Sequence, residues 1–377
     1  MKLVHLSDLH LGKRVNEFPM IEDQKYILEE ILDIIADEKP VGVIIAGDVY
    51  DKAMPSIEAV KLFDDFLVRL AGMETKVFII SGNHDSAERI AFGGRLLDVS
   101  GIYLSPVYDG SVKPIPLKDE SGVYQVYLLP FIKPANVRAV FPDEQITSYT
   151  DAVRVAIGHM EIDPSVRNIL VTHQFVTGAE RCDSEEINVG GTDNVDASVF
   201  EPFDYVALGH LHGPQNVSER IRYCGTPLKY SFSEKDHQKS VTVVELGADS
   251  SPVIRMRPLH PIHDLREIRG TYNELTLKTN YEGTVLDDYL HIVLTDEEDV
   301  PDALARLQVI YPNLMKLDYD NTRTRTEPML IEAEAADHKS EIDWLDELYE
   351  KQNGKPLSDV QRVFSEELFE KLKEGEA

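Results

Sequence analysis

Five short segments of the chain carry side chains able to hold a cation or move a proton. They are Asp8-Leu9-His10, Gly47-Asp48, Gly82-Asn83-His84-Asp85, His173 and Gly209-His210-Leu211-His212. Each stands at the C-terminal end of an apolar run. In open α/β sheets that edge is where ligands bind. Singly the segments are weak signals: an Asp-x-His pair is commonplace, a Gly-Asp can cap a helix, and a lone histidine is more often a satisfied polar residue than a ligand. Asn, His and Asp in succession after a buried strand are harder to explain structurally. Together, five loops bearing carboxylates, imidazoles and one amide describe a two-metal hydrolytic centre, with Asp48 as the natural bridging carboxylate. Donors without thiolate argue against iron–sulfur and structural zinc sites, and several imidazoles argue against an all-oxygen magnesium or calcium site. Mn²⁺, Fe²⁺ and Zn²⁺ all fit.

The elements that must position these loops alternate between strand and helix. Leu3–Leu6, Val41–Ala46 and Lys76–Ser81 read as covered parallel strands, apolar on both faces. Between and after them the apolar spacing predicts helices over Met20–Glu38, Ile57–Leu70 and Ser86–Leu97. Strand, polar loop and helix recur three times in the first 100 residues, which points to an α/β layered fold. Strands are predicted at Val112–Leu117 and Val123–Leu129, a helix at Tyr149–Met160, and buried strands at Asn168–Thr172 and Tyr205–Leu208. Phe175–Phe200 reads as a long polar loop. Ile221–Cys224 and Val241–Leu246 read as antiparallel closing strands, and Pro252–Pro261 as a traverse out of the first domain.

A smaller α+β unit follows, with strands at Tyr272–Leu277, Tyr289–Leu294 and Leu314–Leu317 and an Asp299-capped helix over Pro301–Tyr311. Beyond a charged linker at Glu332–Lys339, two amphipathic helices, Ile342–Lys351 and Val360–Leu372, present apolar faces that need a surface to cover. His5, His159, His237, His260, His263, His291 and His338 stand in no ligand pattern, and Cys182 and Cys224 read as ordinary thiols.

At 377 residues the chain can form two or three domains. No apolar run approaches the ~18 residues of a membrane span, no leader pattern precedes the first strand, and two cysteines suit a reducing cytoplasm. The formal net charge of -29 is unexpected for a protein that would act alone on nucleic acid. Residues 332–377 contribute 14 acidic against six basic side chains. Bound cations and a partner with a basic surface would offset that repulsion; a substrate smaller than DNA would avoid it.

The five motifs together match the calcineurin-like metallophosphoesterase superfamily over roughly residues 1–246. The opening KLVHLSDLHLG, with Ser233-Glu234 and Gln238-Lys239-Ser240 ahead of Val241–Leu246, is similar to the SbcD family, nuclease subunits of the bacterial SbcCD complex. The resemblance implies a layered β-sandwich flanked by helices over residues 1–261, an α+β capping domain over 262–331, and C-terminal helices over 332–377 that bind the SbcC ATPase. It implies that Asp8, His10, Asp48 and His212 hold one metal, and Asp48, Asn83, His173 and His210 the other, with Mn²⁺ the expected ion. His84 would contact the scissile phosphate and assist the leaving group, with Asp85 orienting it. A homodimer through Ile57–Leu70 and Ser86–Leu97, DNA as substrate, and roles in repair, recombination and replication are implied likewise. The motifs are equally compatible with a phosphoesterase for nucleotides or phosphoprotein. A metal-retaining, non-catalytic adaptor is disfavoured by the intact set that includes His84.

Overall fold

The computed structural model describes residues 1–120, 122–180, 193–247 and 251–324, and isolated positions between 342 and 365. The expected C-terminal helices fall mostly outside the described residues, as do Cys182, His338 and the centre of the Phe175–Phe200 loop. By packing, the chain separates into two compact units. One comprises Met1–Ile268, Gly283–Ile292 and Leu307–Lys316; the other comprises Arg269–Glu282, Val293–Arg306 and Leu317–Ala377.

Two six-stranded sheets dominate the first unit. One runs Val253–Pro258, Ser240–Glu245, Lys2–Leu6, Gly42–Ala46, Lys76–Ile80, Ile102–Leu104. Its last four strands are parallel, and the first two are added antiparallel. The other runs Gln215–Asn216, Ile221–Tyr223, Tyr205–Gly209, Arg167–His173, Gly122–Leu129, Ile115–Asp119. Its four central strands are parallel.

Side-chain alternation decides what each sheet covers. Leu3, Ile44, Phe78 and Ile80 point inward against Val126, Ile169, Val171 and Ala207 of the facing sheet. The intervening Val4, Leu6, Val43 and Ile45 pack outward on Ile27, Ile31, Phe63 and Phe66, which belong to the helices Ile21–Glu38 and Ile57–Ala71. On the far side Tyr127, Leu170 and Leu208 pack on Val153, Ala156 and Ile157 of the helix Tyr149–Gly158. Central strands buried on both faces explain the unbroken apolar runs in the sequence. Each fully buried Leu, Ile, Val or Phe contributes ~1.5–3 kcal/mol, so this double core readily holds the strand ends in register.

Several expectations are corrected. Ser86–Leu97 is not one helix: Gly93, at φ +76°, breaks it into the single turns Ala87–Ile90 and Gly94–Leu97. Ile221–Tyr223 runs parallel, not antiparallel, to Tyr205–Gly209. Val253–Pro258 is an edge strand rather than an exit, a place where flanking prolines are tolerated. Tyr272–Thr276 is helical because Thr271 and Glu274 form a reciprocal capping box, the Glu274 carboxylate accepting the Thr271 N–H at 2.8 Å. The helix expected over Pro301–Tyr311 is limited to Ala303–Gln308, and Asp299 pairs with Arg323. Strands Ile102–Leu104 and Leu265–Gly270 were too short or too polar to stand out.

The edge strand is fastened by charge. Buried Glu38, at the end of Ile21–Glu38, accepts from Arg255 at 3.0 Å, Arg257 at 2.6 Å and Lys2 at 3.1 Å. The bond from Arg255, then those from Arg257 and Lys2, overcome the cost of burial and hold Glu38 at about 2, against an ordinary 4.5. A lowered folded-state pKa stabilises the fold fully above about pH 4.5, and that stabilisation is lost as pH falls towards about 2. Denaturant titrations of wild type and Glu38→Gln should therefore differ at pH 7 and converge near pH 2. A constant gap across that range would contradict this linkage.

Candidate metal centre

Strand ends of both sheets deliver the expected residues to one place. Asp8 and His10 follow Lys2–Leu6, Asp48 follows Gly42–Ala46, and Asn83, His84 and Asp85 follow Lys76–Ile80. His173 ends Arg167–His173 of the facing sheet, and His210 and His212 follow Tyr205–Gly209. The loops are laced through their backbones: Asp8 N–H donates to Gly47 O at 3.0 Å and His10 N–H to Asp48 O at 2.9 Å. Two glycines permit the approach. Gly47 sits at φ +86°, and a Cβ there would lie 2.5 Å from His173 Nδ1. A Cβ at Gly209 would fall 1.9 Å from the Ala46 carbonyl oxygen.

Backbone conformation at the site runs against preference. Asp8, His10, Asp48 and His210 all have positive φ (52°, 44°, 49° and 103°), a region rare for residues with a Cβ. Such outliers concentrate at functional sites, where the surroundings over-determine them.

Among the described residues, two groups bring potential ligand atoms within 4.8 Å of one another: His10, Asp48 and His84, and Asp8, Asp48 and His173. Asp48 belongs to both. Its Oδ2 lies 3.3 Å from His173 Nε2 and 3.7 Å from His10 Nε2. Asn83 Oδ1 lies 2.9 Å from His173 Nε2 and 3.0 Å from His210 Nδ1, so these three donors also surround one point. The His212 and His10 rings are 5.1 Å apart.

The electrostatics suit cations. Asp8 Oδ2 and both ring nitrogens of His10 are buried without a hydrogen-bond partner, an arrangement that is costly unless something else satisfies them. Burial drives His10 well below the ordinary imidazole range, which keeps its nitrogens free to ligate. Burial lifts Asp8 to about 7 despite His173 beside it. Although burial opposes it, His173 together with His10 and His84 holds Asp48 far below the carboxylate range. Burial likewise pulls His173 down, but Asp48 and Asp8 outweigh it and raise the ring to about 9. The His173 Nδ1–H faces the Ala46 carbonyl at 2.8 Å, so Nε2 is the nitrogen turned to the cluster.

His84, like Asn83 and His210, is only partly buried. Its side chain is 20% exposed while those of Asp8, His10 and His173 are at most 1% exposed, so it is open to solvent where they are sealed. Its Nδ1–H donates to Asp51 O at 3.2 Å and its Nε2 is 4.0 Å from Asp48 Oδ2. Asp85 does not orient it. The Asp85 carboxylate instead accepts the backbone N–H groups of Gly82 (3.0 Å), Val49 (3.1 Å) and Tyr50 (2.9 Å). It ties the loop carrying Asp48 to the loop carrying Asn83, and burial, reinforced by Asp48, raises it to about 6.

The motifs did not reveal the groups behind the ligands. Gln24 Nε2 donates to His10 O at 2.7 Å and to Tyr230 Oη at 2.9 Å, buttressing the first loop. Glu234 Oε1 lies 3.1 Å from His212 Nδ1. No spacing in the sequence marks these residues as neighbours of the centre. His5, by contrast, is packed as expected, 3.0 Å from Tyr205 Oη and lowered by burial to about 3.

Comparison with known proteins agrees with this geometry. The calcineurin-like phosphoesterase family matches residues 1–214, and the family described as type 5 capsule protein repressor C-terminal domain matches residues 261–353. The SbcD subunit of the nuclease SbcCD from Staphylococcus epidermidis (strain ATCC 12228 / FDA PCI 1200) is 35% identical over 322 residues, covering 84% of this chain and 85% of that protein. Among solved structures, a dimetal phosphatase from Danio rerio aligns with 70% of this chain and 98% of its own at 12% identity and a TM-score of 0.42, too distant to bear on the chemistry. With one family covering more than half its length and a relative this similar across most of both sequences, the chain belongs to the calcineurin-like phosphoesterases, metal-dependent hydrolases, in the SbcD nuclease family.

Proposed function

We propose that the chain hydrolyses DNA phosphodiester bonds as the nuclease subunit of an SbcCD-type complex, acting as a double-strand exonuclease and a single-strand or hairpin endonuclease. The observation that carries this reading is Asp48, shared by both ligand groups, in a chain so similar to an SbcCD nuclease subunit. Asp8, His10, Asp48 and His212 would hold one divalent cation, and Asp48, Asn83, His173 and His210 the other, Mn²⁺ being the expected ion. Bound cations would supply Lewis acidity to the phosphoryl group and make a water acidic enough to attack near neutral pH. The chain's own contribution is to hold the ligands rigidly, through backbone lacing and buried strand ends, and to present His84 to the departing oxygen. With Nδ1–H committed to the Asp51 carbonyl, Nε2 is the His84 nitrogen left to meet that oxygen.

A basic cleft of about 630 Å³ supports DNA as the substrate in this acidic chain. Lys13, Arg14, Lys235 and Lys316 line it with one carboxylate, Glu267, which pairs with Lys235 at 2.7 Å, while Lys13 pairs with Asp51 at 2.7 Å. Tyr230 belongs to the same lining and its ring lies 5.9 Å from that of His10, which sets the cleft beside the centre, although none of the candidate ligands lines it. Replacing Lys235 and Lys316 together by alanine should lower the slope of log affinity against log salt for duplex DNA by about 1.8, the value for two lost phosphate contacts. An unchanged slope in filter-binding titrations would place the DNA elsewhere.

The domain division follows the same reading: nuclease domain 1–261, capping domain 262–331, and SbcC-binding segment 332–377. Exposed Ile57, Val68, Phe92, Leu96 and Val99 support a homodimer through the helices of the large domain. Among the described residues no helix is long and apolar enough to cross a membrane; a cytoplasmic location is part of the same proposal. The deciding experiment assays labelled duplex and hairpin DNA in Mn²⁺, with and without the ATPase partner and ATP. Cleavage of mononucleotides or phosphoprotein without duplex binding would favour the alternative that the net charge of -29 leaves open.

A further inference from the structure

We infer that Glu234 and Lys239 are positioning residues of the metal centre, fixing His212 with Nδ1 on an anionic carboxylate and Nε2 as its ligating nitrogen. The inference rests on the metal-binding reading above and concerns residues outside the ligand set.

His212, Glu234 and Lys239 form a buried series, their side chains 4%, 0% and 4% exposed. Lysine and glutamate are almost never fully buried unless paired, and a buried ion pair contributes little or nothing to stability over an apolar replacement. Its presence here calls for another reason, and the contacts supply one. One Glu234 oxygen meets His212 Nδ1 at 3.1 Å, and the other accepts from the Lys239 ammonium at 2.5 Å. That ammonium also donates to the His212 carbonyl at 2.9 Å and to Thr226 Oγ1 at 2.7 Å. All three of its hydrogens are used, and two of them hold the backbone of His212 and the partner of its ring.

Nδ1 facing an ionised carboxylate must carry the proton, which leaves Nε2 as the ligating nitrogen. Two of the other ligand histidines are supported differently: His173 Nδ1 faces a neutral carbonyl, and His10 Nδ1 stands 3.7 Å from the Asp51 carboxylate, beyond hydrogen-bond distance. A carboxylate behind an imidazole raises its basicity as a ligand. The cation contacting His212 is therefore the one that this series strengthens.

The test counts ions. Wild type, Glu234→Ala, Glu234→Gln and Lys239→Met, as full-length chains, are titrated with Mn²⁺, and free ion is measured by electron paramagnetic resonance. Wild type should bind two ions. Glu234→Ala should weaken one of them by 10–100-fold, the range for a lost partner behind a ligand, and leave the other unchanged. Lys239→Met should weaken the same ion, and Glu234→Gln should weaken it less, because its amide oxygen still accepts from Nδ1–H. Should the alanine variant not fold, the near-isosteric glutamine variant decides. Two ions bound at wild-type affinity by folded Glu234→Gln and Lys239→Met would overturn the proposal alone. A wild type binding fewer than two ions would overturn the metal-centre reading beneath it.

Discussion

Asp48→Ala is expected to lower phosphodiester hydrolysis by more than 10³-fold and to remove the capacity for two bound cations. The size of the effect follows from position. Asp48 contacts both ligand groups, so its loss takes a donor from two cations at once and exceeds the 10²–10³ typical of removing one preorganised group. It also leaves His173 and His10 beside each other without the carboxylate that lay 3.3 and 3.7 Å away. Metal analysis and bis-p-nitrophenyl phosphate turnover on the same folded sample check it. Two tightly bound ions in that variant would mean that another group bridges.

His84→Ala should behave in the opposite manner, losing turnover by roughly two orders of magnitude while retaining both ions. Its 20% exposure leaves it open to solvent where Asp8, His10 and His173 are sealed, and its Nδ1–H is already engaged by Asp51. Because it also falls within 4.8 Å of His10 and Asp48, the geometry admits a ligand role, and the measurement separates the two. Loss of an ion together with activity would make His84 a ligand; full metal content with unchanged turnover would give it neither role.

The centre was legible because its chemistry is written in short segments anchored to the least ambiguous elements. Gly42–Ala46, Lys76–Ile80 and Tyr205–Gly209 are covered on both faces, so their sequences are apolar throughout and their ends are sharp. What failed was what depends on long-range pairing or on one local residue. Ile221–Tyr223 is too short for its direction to show in composition, and only its pairing to Tyr205–Gly209 fixes it as parallel. Tyr272–Thr276 carries a β-like composition that the Thr271–Glu274 capping box overrides. Asp85 looked like a partner for its neighbour His84, yet three N–H groups from two loops converge on it instead. Glu234 and Lys239 were visible only as phrases of a resemblance, because their bond to His212 spans 22 residues or more of sequence.

The left-handed backbone at Asp8, His10, Asp48 and His210 has a consequence for anyone who would transplant this centre. Copying the donors onto another scaffold at matching Cβ positions would fail, since most scaffolds offer those positions in ordinary strand or helix geometry and the side chains would then leave along different vectors. What must be grafted is the pair of facing sheet edges, with the glycines that let them touch; the ligands come along as passengers of that frame.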